Sequence, residues 1–316
     1  MTLHHNLSAS ATVRRWPCSA GRAPITFCRM LTTNAARLRL VMAAVLFSTG
    51  GAAIKATTLT AWQVAGFRSG VAALALFLLI PESRRGWSWK TLLVGVAYAA
   101  TLMLFVVANK LTTSANTIFL QSTSPLYILI LGPLLLREPI RARDVVFMAA
   151  VGLGLALFFV EREAPLATAP DPVLGNILAA VSGLTWACTV IGLRWLGSQS
   201  DQNAAFPAMV SGNLTVLIVS LPLALPVLSS TPADWAMIAY LGLFQIAFAY
   251  LLLARGIRHV SALEASVLLL VEPALNPLWS WIVHAESPSA WALAGAAVIF
   301  GATTLRTWYE ARLSTA

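Results

Sequence analysis

Among the ionisable side chains inside apolar runs of the chain, Glu272 and Arg68 are the two that could best contact a charged solute. Glu272 stands near the middle of its run and directly precedes Pro273, which has no backbone N–H and leaves a carbonyl of the preceding turn free. An ionised carboxylate at that depth in a membrane costs roughly 2.5–3.5 kcal/mol or more. It must therefore be protonated, paired or exposed to water. Two interpretations stay open: a site for a proton or an ammonium group, or an ion pair with Arg68 or Lys55.

Arg68 is the second such side chain, about two turns inside its own run. Gly66 and Gly70 flank it in a Gly-x-x-x-Gly pattern, which is typical of closely packed helices. A long base near a helix end often extends to the membrane interface or pairs internally. Its guanidinium can instead hold a substrate carboxylate by a bidentate contact. The sequence leaves both roles open.

Polar residues also recur at helical spacing near these charges. One predicted stripe consists of Thr113, Thr117, Gln121 and Ser124. The positions 148 residues later are Ser261, Ala265, Leu269 and Glu272, continued by Asn276 and Trp279. Single hydroxyls and amides commonly bond neighbouring helices, at about 0.6 kcal/mol each. As two matched stripes, however, they favour a watery cavity.

We therefore predict a central cavity enclosed mainly by the third, fourth, eighth and ninth helices. Aromatic and amide side chains of the third, sixth and eighth helices complete its expected lining. Trp186 of the sixth helix is also compatible with simple packing. The predicted substrate-binding residues are Gln121, Ser124, Thr117, Tyr98, Trp186, Gln245, Tyr250, Glu272, Asn276 and Arg68.

The composition places these residues on membrane-spanning helices. Hydrophobic residues make up 58% of the chain and charged residues 10%, whereas a soluble domain has about 25% charged residues. No apolar run alternates at period two, as a barrel strand would. We expect an all-α polytopic membrane protein with ten transmembrane helices of roughly 20 residues each. The runs are 38–57, 61–80, 90–109, 112–136, 144–160, 173–196, 204–226, 233–254, 261–284 and 288–305.

A duplicated pattern divides the chain into halves. Pro125 precedes Glu138 by 13 residues, Pro273 precedes Glu286 by the same interval, and the copies are 148 residues apart. Such duplication indicates a transporter built from two repeats. The predicted organisation is a basic, disordered tail over 1–36, a first repeat over 37–160, a linker over 161–172, a second repeat over 173–305 and a cytoplasmic tail over 306–316.

The basic residues predict the orientation of the repeats. With the N-terminus in the cytoplasm, 17 of the 21 Lys and Arg residues fall on the cytoplasmic side. The other four, which fall in the membrane or on the opposite side, are Lys55, Arg68, Lys110 and Arg162. The positive-inside rule then places both termini in the cytoplasm. Five helices per repeat make the two repeats inverted. The net charge of +9 follows from this bias, and no nucleic-acid partner is expected.

Residues 1–36 contain no acid and fit a cleaved signal peptide poorly. A transit peptide, a disordered tail and a true start at Met30 stay open as alternatives. Cys18, Cys28 and Cys188 are too scattered for a disulfide framework or a zinc site. No phosphate-binding loop or catalytic constellation is present in the sequence. We therefore expect no cofactor, no bound metal and no enzymatic activity.

Four segments resemble a known repeat. They are AAVLFSTGGAAIKA, AGFRSGVAALALFLLIP, KLTTSANTIFLQSTSPLYILILGPLLLREPI and SALEASVLLLVEPALNPLWSWIVHAES. Together they resemble the EamA repeat of the drug/metabolite transporter superfamily, over roughly residues 38–305. Lys55 and Arg68 fall where that family often has a basic residue. The resemblance implies a ten-helix carrier for small metabolites; its family covers amino acids, sugars, nucleosides and drugs.

The expected function is that of a secondary transporter, a permease or exporter of small metabolites such as amino acids or related compounds. It would act by alternating access in the plasma (inner) membrane, coupled to an ion or proton gradient. The alternative is a membrane-embedded ligand sensor or scaffold without transport. The expected partners are a small-molecule substrate and the lipid bilayer. The sequence leaves the oligomeric state open, a monomer included.

Overall fold

The computed structural model describes residues 25–135, 142–160, 165–197, 204–256 and 268–315. Within these ranges the chain is helical apart from turns and one isolated β-bridge between Leu166 and Ala169. Six helices there are long and apolar enough to cross a membrane, and the shorter apolar helices include Asp144–Leu157 and Ala290–Arg306. The chain is therefore a multi-pass, all-helical membrane protein.

The described residues of the first half form seven α-helices, and side chains cap free backbone N–H groups at the start of several of them. The Thr60 hydroxyl accepts from the Gln63 N–H, and the Gln63 side chain accepts from the Thr60 N–H in return. Ser88 and Thr91 form the same reciprocal pair before the next long helix. The helices are α1 (Ile25–Ser48), α2 (Gly50–Lys55), α3 (Ala61–Leu79), α4 (Trp89–Leu111), α5 (Ser114–Gln121), α6 (Ser124–Leu135) and α7 (Ala142–Leu157).

The described residues of the second half form six further α-helices and one π-helical segment. Proline at the first position and the Thr231–Asp234 capping pair start the helix that carries the π segment Leu241–Phe248. The helices are α8 (Pro172–Gly197), α9 (Ala205–Ala224), α10 (Pro232–Tyr240), α11 (Ala249–Gly256), α12 (Val271–His284) and α13 (Ala290–Thr315).

Several predicted boundaries differ from the structure. The run 112–136 is divided between α5 and α6 at Ser122 and Thr123, whose hydroxyls donate to carbonyls of the preceding turn. Such bonds compete with the helical ladder and interrupt it. Helix α1 begins at Ile25, so residues 25–36 are helical where a disordered tail was expected. At the other terminus, α13 continues past residue 306 to Thr315.

Turns from both halves meet at one end of the molecule, which we call the linker end because it carries residues 165–171. The Asp171 N–H donates to the Leu111 carbonyl at 3.0 Å. The Thr58 N–H donates to Asp234 Oδ1 at 2.7 Å. The start of α3, the end of α4 and the starts of α8 and α10 therefore lie together.

A second group of contacts lies at the opposite helix termini, which we call the basic end. The Lys90 ammonium lies 5.2 Å from the centre of the Trp195 ring. Arg306 forms an ion pair with Asp144 at 3.2 Å. The start of α4 thus lies beside the end of α8, and the start of α7 beside α13. Successive long helices run in alternating directions.

Small residues bring α3 close to α9. A Cβ atom added at Gly66 would lie 3.0 Å from Ser220 Cβ, and one at Gly70 would lie 3.3 Å from the Leu217 side chain. These two glycines form the Gly-x-x-x-Gly pattern around Arg68, which marks close helix packing. The packing fixes the depth and direction of the Arg68 side chain between the helices.

Candidate functional site

A cavity of about 260 Å³ lies between the two halves of the chain. Ligand pockets of roughly 300–1,000 Å³ hold drug-sized molecules, so this volume suits a smaller metabolite. Its charged and polar lining comprises Arg68, Thr101, Gln121, Ser122, Ser124, Gln245, Glu272 and Thr303. Its aromatic lining comprises Phe47, Phe105, Trp186 and Tyr250.

Arg68 lies in the wall of this cavity with only 1% of its surface exposed. Its guanidinium donates to Gln245 Oε1 at 3.5 Å and to the Leu102 carbonyl at 3.3 Å, both longer than an ordinary hydrogen bond. Its Nε has no partner among the described residues. Extension to the membrane interface, one of the roles that the sequence left open, is excluded by this burial. The guanidinium is a buried cation with spare donors.

Glu272 contributes an acid to the same cavity from the first turn of α12. The ion pair considered for it with Arg68 or Lys55 is not formed: no such pair occurs among the described residues, and Lys55 bonds Glu286 instead. Glu286 follows Glu272 by 14 residues, or about 20 Å of helix, so Lys55 cannot reach both acids. Of the two interpretations that the sequence left open, the ion pair is therefore not the one observed, and Glu272 faces the cavity.

The π-helical segment and two tyrosines shape the wall beside Arg68. Gln245 lies within the segment Leu241–Phe248, a geometry found frequently at functional sites. The Tyr250 ring lies 5.0 Å from Phe47 and 5.6 Å from Tyr98, edge to face in both cases. Tyr250 lines the cavity, whereas Tyr98 stands behind it and supports the ring.

The structure gathers seven of the ten predicted site residues around this cavity. They are Arg68, Gln121, Ser124, Trp186, Gln245, Tyr250 and Glu272. Tyr98, Thr117 and Asn276 do not line it. The Thr117 hydroxyl donates to the Thr113 carbonyl within its own turn. Asn276 is buried beside Gly51, nearer the linker end.

The first polar stripe does not continue along one helix. The Thr113 hydroxyl accepts from the Asn116 N–H and thereby caps α5. Gln121 ends α5 and donates to Ser182 Oγ at 3.1 Å, while Ser124 begins α6. Because α5 and α6 are separate helices, only the part of the stripe next to the break faces the cavity.

The second stripe also divides between two environments. Leu269 and Glu272 line the cavity, whereas Trp279 Nε1 donates to Ser48 Oγ at 2.9 Å. Ser261 and Ala265 lie outside the described residues. The same holds for Glu138, the acid of the first Pro/Glu pair.

Sequence reasoning missed part of the lining on α4. Thr101 and Phe105 both face the cavity, and the Thr101 hydroxyl donates to Thr185 Oγ1 at 3.0 Å. Tyr98, Thr101 and Phe105 recur at i, i+3 and i+7, so helical spacing from Tyr98 would have indicated them. No helical spacing of this kind indicated that Thr303 of α13 would line the cavity.

Comparisons with known proteins agree with this arrangement. The EamA-like transporter family matches residues 36–160 and again residues 173–308. "Uncharacterized transporter YyaM" of Bacillus subtilis (strain 168) is 24% identical over 64% of this chain and 67% of its own. An "Uncharacterized transporter" of Methanothermobacter thermautotrophicus (strain ATCC 29096 / DSM 1053 / JCM 10044 / NBRC 100330 / Delta H) is 22% identical over 58% of this chain. That match spans only 54% of the relative's length.

The fold is shared with a solved structure. A protein crystal structure superimposes with a TM-score of 0.60 at 17% identity, over 89% of this chain and 99% of its own. The two family matches cover well over half of the sequence and include every residue that lines the cavity. The chain belongs to the EamA-like transporter family.

Proposed function

We propose that the protein is a secondary transporter that moves small metabolites across the plasma (inner) membrane by alternating access. The observation that carries this proposal is the cavity between the two family matches, to which Arg68 and Glu272 each contribute a charge. Charged groups at such depth are costly and mark substrate or ion pathways. A scaffold would gain nothing from them.

The charges favour amino acids or related compounds as substrates. The planar guanidinium of Arg68 matches a carboxylate, which it can hold by two parallel hydrogen bonds. The carboxylate of Glu272 matches an ammonium group or carries a proton. Phe105 and Trp186 offer apolar surface for the rest of the molecule. A small zwitterion would satisfy all three features at once.

The proposed architecture is ten transmembrane helices in two inverted five-helix repeats, with both termini in the cytoplasm. Two observations support it: the alternating directions of successive helices, and the 17 of 21 basic residues that one orientation places on one side. The linker end would then be extracytoplasmic. Inverted repeats around a central site are a common basis of alternating access.

Flux through proteoliposomes tests the function. The purified protein should exchange a labelled neutral amino acid across the bilayer, and it should discriminate against analogues that lack either the carboxylate or the amine. Arg68→Gln should lower this exchange at least about tenfold, because a buried hydrogen bond to a charged group is worth about 1.5–3 kcal/mol. Arg85→Gln, which changes an exposed arginine between α3 and α4, is the matched control.

Two results would contradict the proposal. Saturable binding of an amino acid without any flux would indicate the sensor or scaffold instead. Equal flux of Arg68→Gln and the native protein would show that the cavity does not bind the substrate through this guanidinium.

A further inference from the structure

Lys55 is the centre of a buried hydrogen-bond network at the linker end. Its ammonium donates to Glu286 Oε1 at 2.6 Å, to the Thr112 carbonyl at 2.8 Å and to the Thr168 carbonyl. Glu286 Oε2 accepts from the Ser114 N–H at 3.2 Å. The Lys55 and Glu286 side chains are only 1% and 3% exposed. The pair is therefore sealed from solvent.

This network joins the two family repeats above the cavity. Lys55, Thr112 and Ser114 belong to the first match, and Glu286 belongs to the second. None of them lines the cavity. Arg68, in the cavity wall, lies seven residues or about 10 Å along α3 from its start at the linker end. The network thus separates the cavity from the surface at the linker end.

The contact surface beneath the network contains polar atoms without partners. The Ser114 hydroxyl, the Asn276 amide and the Ser280 hydroxyl are buried and make no hydrogen bond within the described ranges. A Cβ added at Gly51 would lie 2.8 Å from Ser114 Cβ and 3.0 Å from Asn276 Oδ1, so α2 packs tightly on α5 and α12. Buried polar groups without partners are unfavourable. Separation of these helices would let water satisfy them.

The helices next to the ion pair are also interrupted: Lys55 ends α2, and Glu286 lies two residues after the end of α12. A turn at Thr49 separates α2 from α1, and Pro277 lies inside α12. Prolines and interrupted hydrogen-bond ladders are positions at which helices bend. Each half of the network can therefore move without displacing a whole long helix.

We propose that the Lys55–Glu286 pair is the gate at the linker end. It holds α2 and α12 together while the cavity is closed on this side, and it separates when the cavity opens there. The proposal rests on the proposed transport function, because alternating access requires a barrier that opens on each side in turn.

Accessibility of a cavity cysteine tests the gate without any substrate. The reporter is Ser122→Cys, a small change at a cavity-lining position, in a background where Cys18, Cys28 and Cys188 are replaced. A separate Ala167→Cys protein, altered at an exposed linker residue, shows which membrane side a charged thiol reagent reaches. Labelling rates are compared in intact cells and inverted vesicles.

Removal of both charges, as Lys55→Met with Glu286→Gln, should raise labelling of the reporter from the linker side by about tenfold, because the closed state loses its pair. Lys110→Met is the matched control, since the Lys110 ammonium bonds Thr57 within the same repeat. Its labelling rate should stay unchanged. Glu286→Gln alone leaves the Lys55 ammonium buried without its anion, which destabilises the closed state further, and should give a larger increase.

An unchanged labelling rate in either pair variant, in protein that remains monodisperse, would overturn the gate. The pair would then be a static contact. A protein that labels as expected yet moves no amino acid would leave the gate intact and contradict the proposed substrate instead. Failure of flux and failure of gating are therefore distinguished by separate measurements.

Discussion

The cavity and the linker end each contain one basic and one acidic side chain, yet the two pairs are arranged in opposite ways. At the linker end Lys55 and Glu286 meet at 2.6 Å and are almost fully buried. In the cavity no ion pair joins Arg68 to Glu272, and both side chains face shared space. The comparison teaches that a charge in an apolar run gains its role from its partner. A paired charge holds two helices together, whereas an unpaired charge is available to bind a ligand.

The energetic cost of removing one charge also differs between the linker end and the cavity. Breaking a buried pair by removal of one partner leaves an uncompensated charge, which costs about 3–5 kcal/mol. Removal of a buried charge that has no ionic partner carries no such penalty. Mutations in the two regions should therefore separate effects on transport from effects on stability.

The largest expected effect on transport is at Glu272. Glu272→Gln keeps the size of the side chain but can neither carry a proton nor balance an ammonium group. It should abolish flux driven by a pH gradient while some substrate exchange persists, because exchange needs no net proton movement. Uptake into proteoliposomes with and without an imposed pH gradient measures both activities.

Glu82→Gln is the matched control, since Glu82 is an exposed acid in the turn after α3. Its uptake should equal that of the native protein. Unchanged pH dependence in Glu272→Gln would remove the coupling role and leave Glu272 as a structural residue of the cavity.

The next prediction concerns stability. Here the larger effect is expected at the linker end and the smaller one in the cavity. Lys55→Met should lower the free energy of unfolding by about 3–5 kcal/mol, because Glu286 is left buried without its cation. Arg68→Met should change the stability far less, or raise it, because to the described residues the guanidinium makes two long hydrogen bonds and no ion pair. Thermal unfolding in the same detergent compares the two variants with the native protein.

Equal destabilisation by both substitutions would mean that Arg68 is as well compensated as Lys55. Its role as a free binding group would then be untenable. Combination of Lys55→Met with Glu286→Gln should recover most of the lost stability, which identifies the pair as the cause.

The sequence allowed much of this arrangement to be predicted, and its failures have a physical origin. The apolar runs indicated the helices, and helical spacing selected Gln121, Ser124 and Glu272 as neighbours of one cavity. The partner of Lys55 could not be predicted, because that contact joins residues 231 positions apart. The division of α5 from α6 was missed because Ser and Thr also occur inside uninterrupted helices, so the sequence alone does not show that the Ser122 and Thr123 hydroxyls bond the preceding turn and end α5.

The smallest expected effect distinguishes Thr101, which lines the cavity, from Thr117, which does not. Thr101 lines the cavity and was not predicted, whereas Thr117 was predicted but bonds its own turn outside the cavity. Thr101→Val keeps the shape and removes a cavity-lining hydroxyl, which lies 3.0 Å from both Thr185 Oγ1 and the Ala97 carbonyl. It should raise the substrate concentration for half-maximal exchange about threefold to tenfold, since a neutral hydrogen bond is worth about 0.5–1.5 kcal/mol.

Thr117→Val is the matched control for Thr101→Val. Its hydroxyl faces a backbone carbonyl that already belongs to α5, so exchange should keep the native half-maximal concentration and maximal rate. Concentration-dependent exchange in proteoliposomes measures both variants side by side. A larger effect at Thr117 than at Thr101 would restore the continuous stripe suggested by the sequence. The substrate would then bind along α5, towards the linker end, and the Lys55–Glu286 pair would lie beside the site instead of above it.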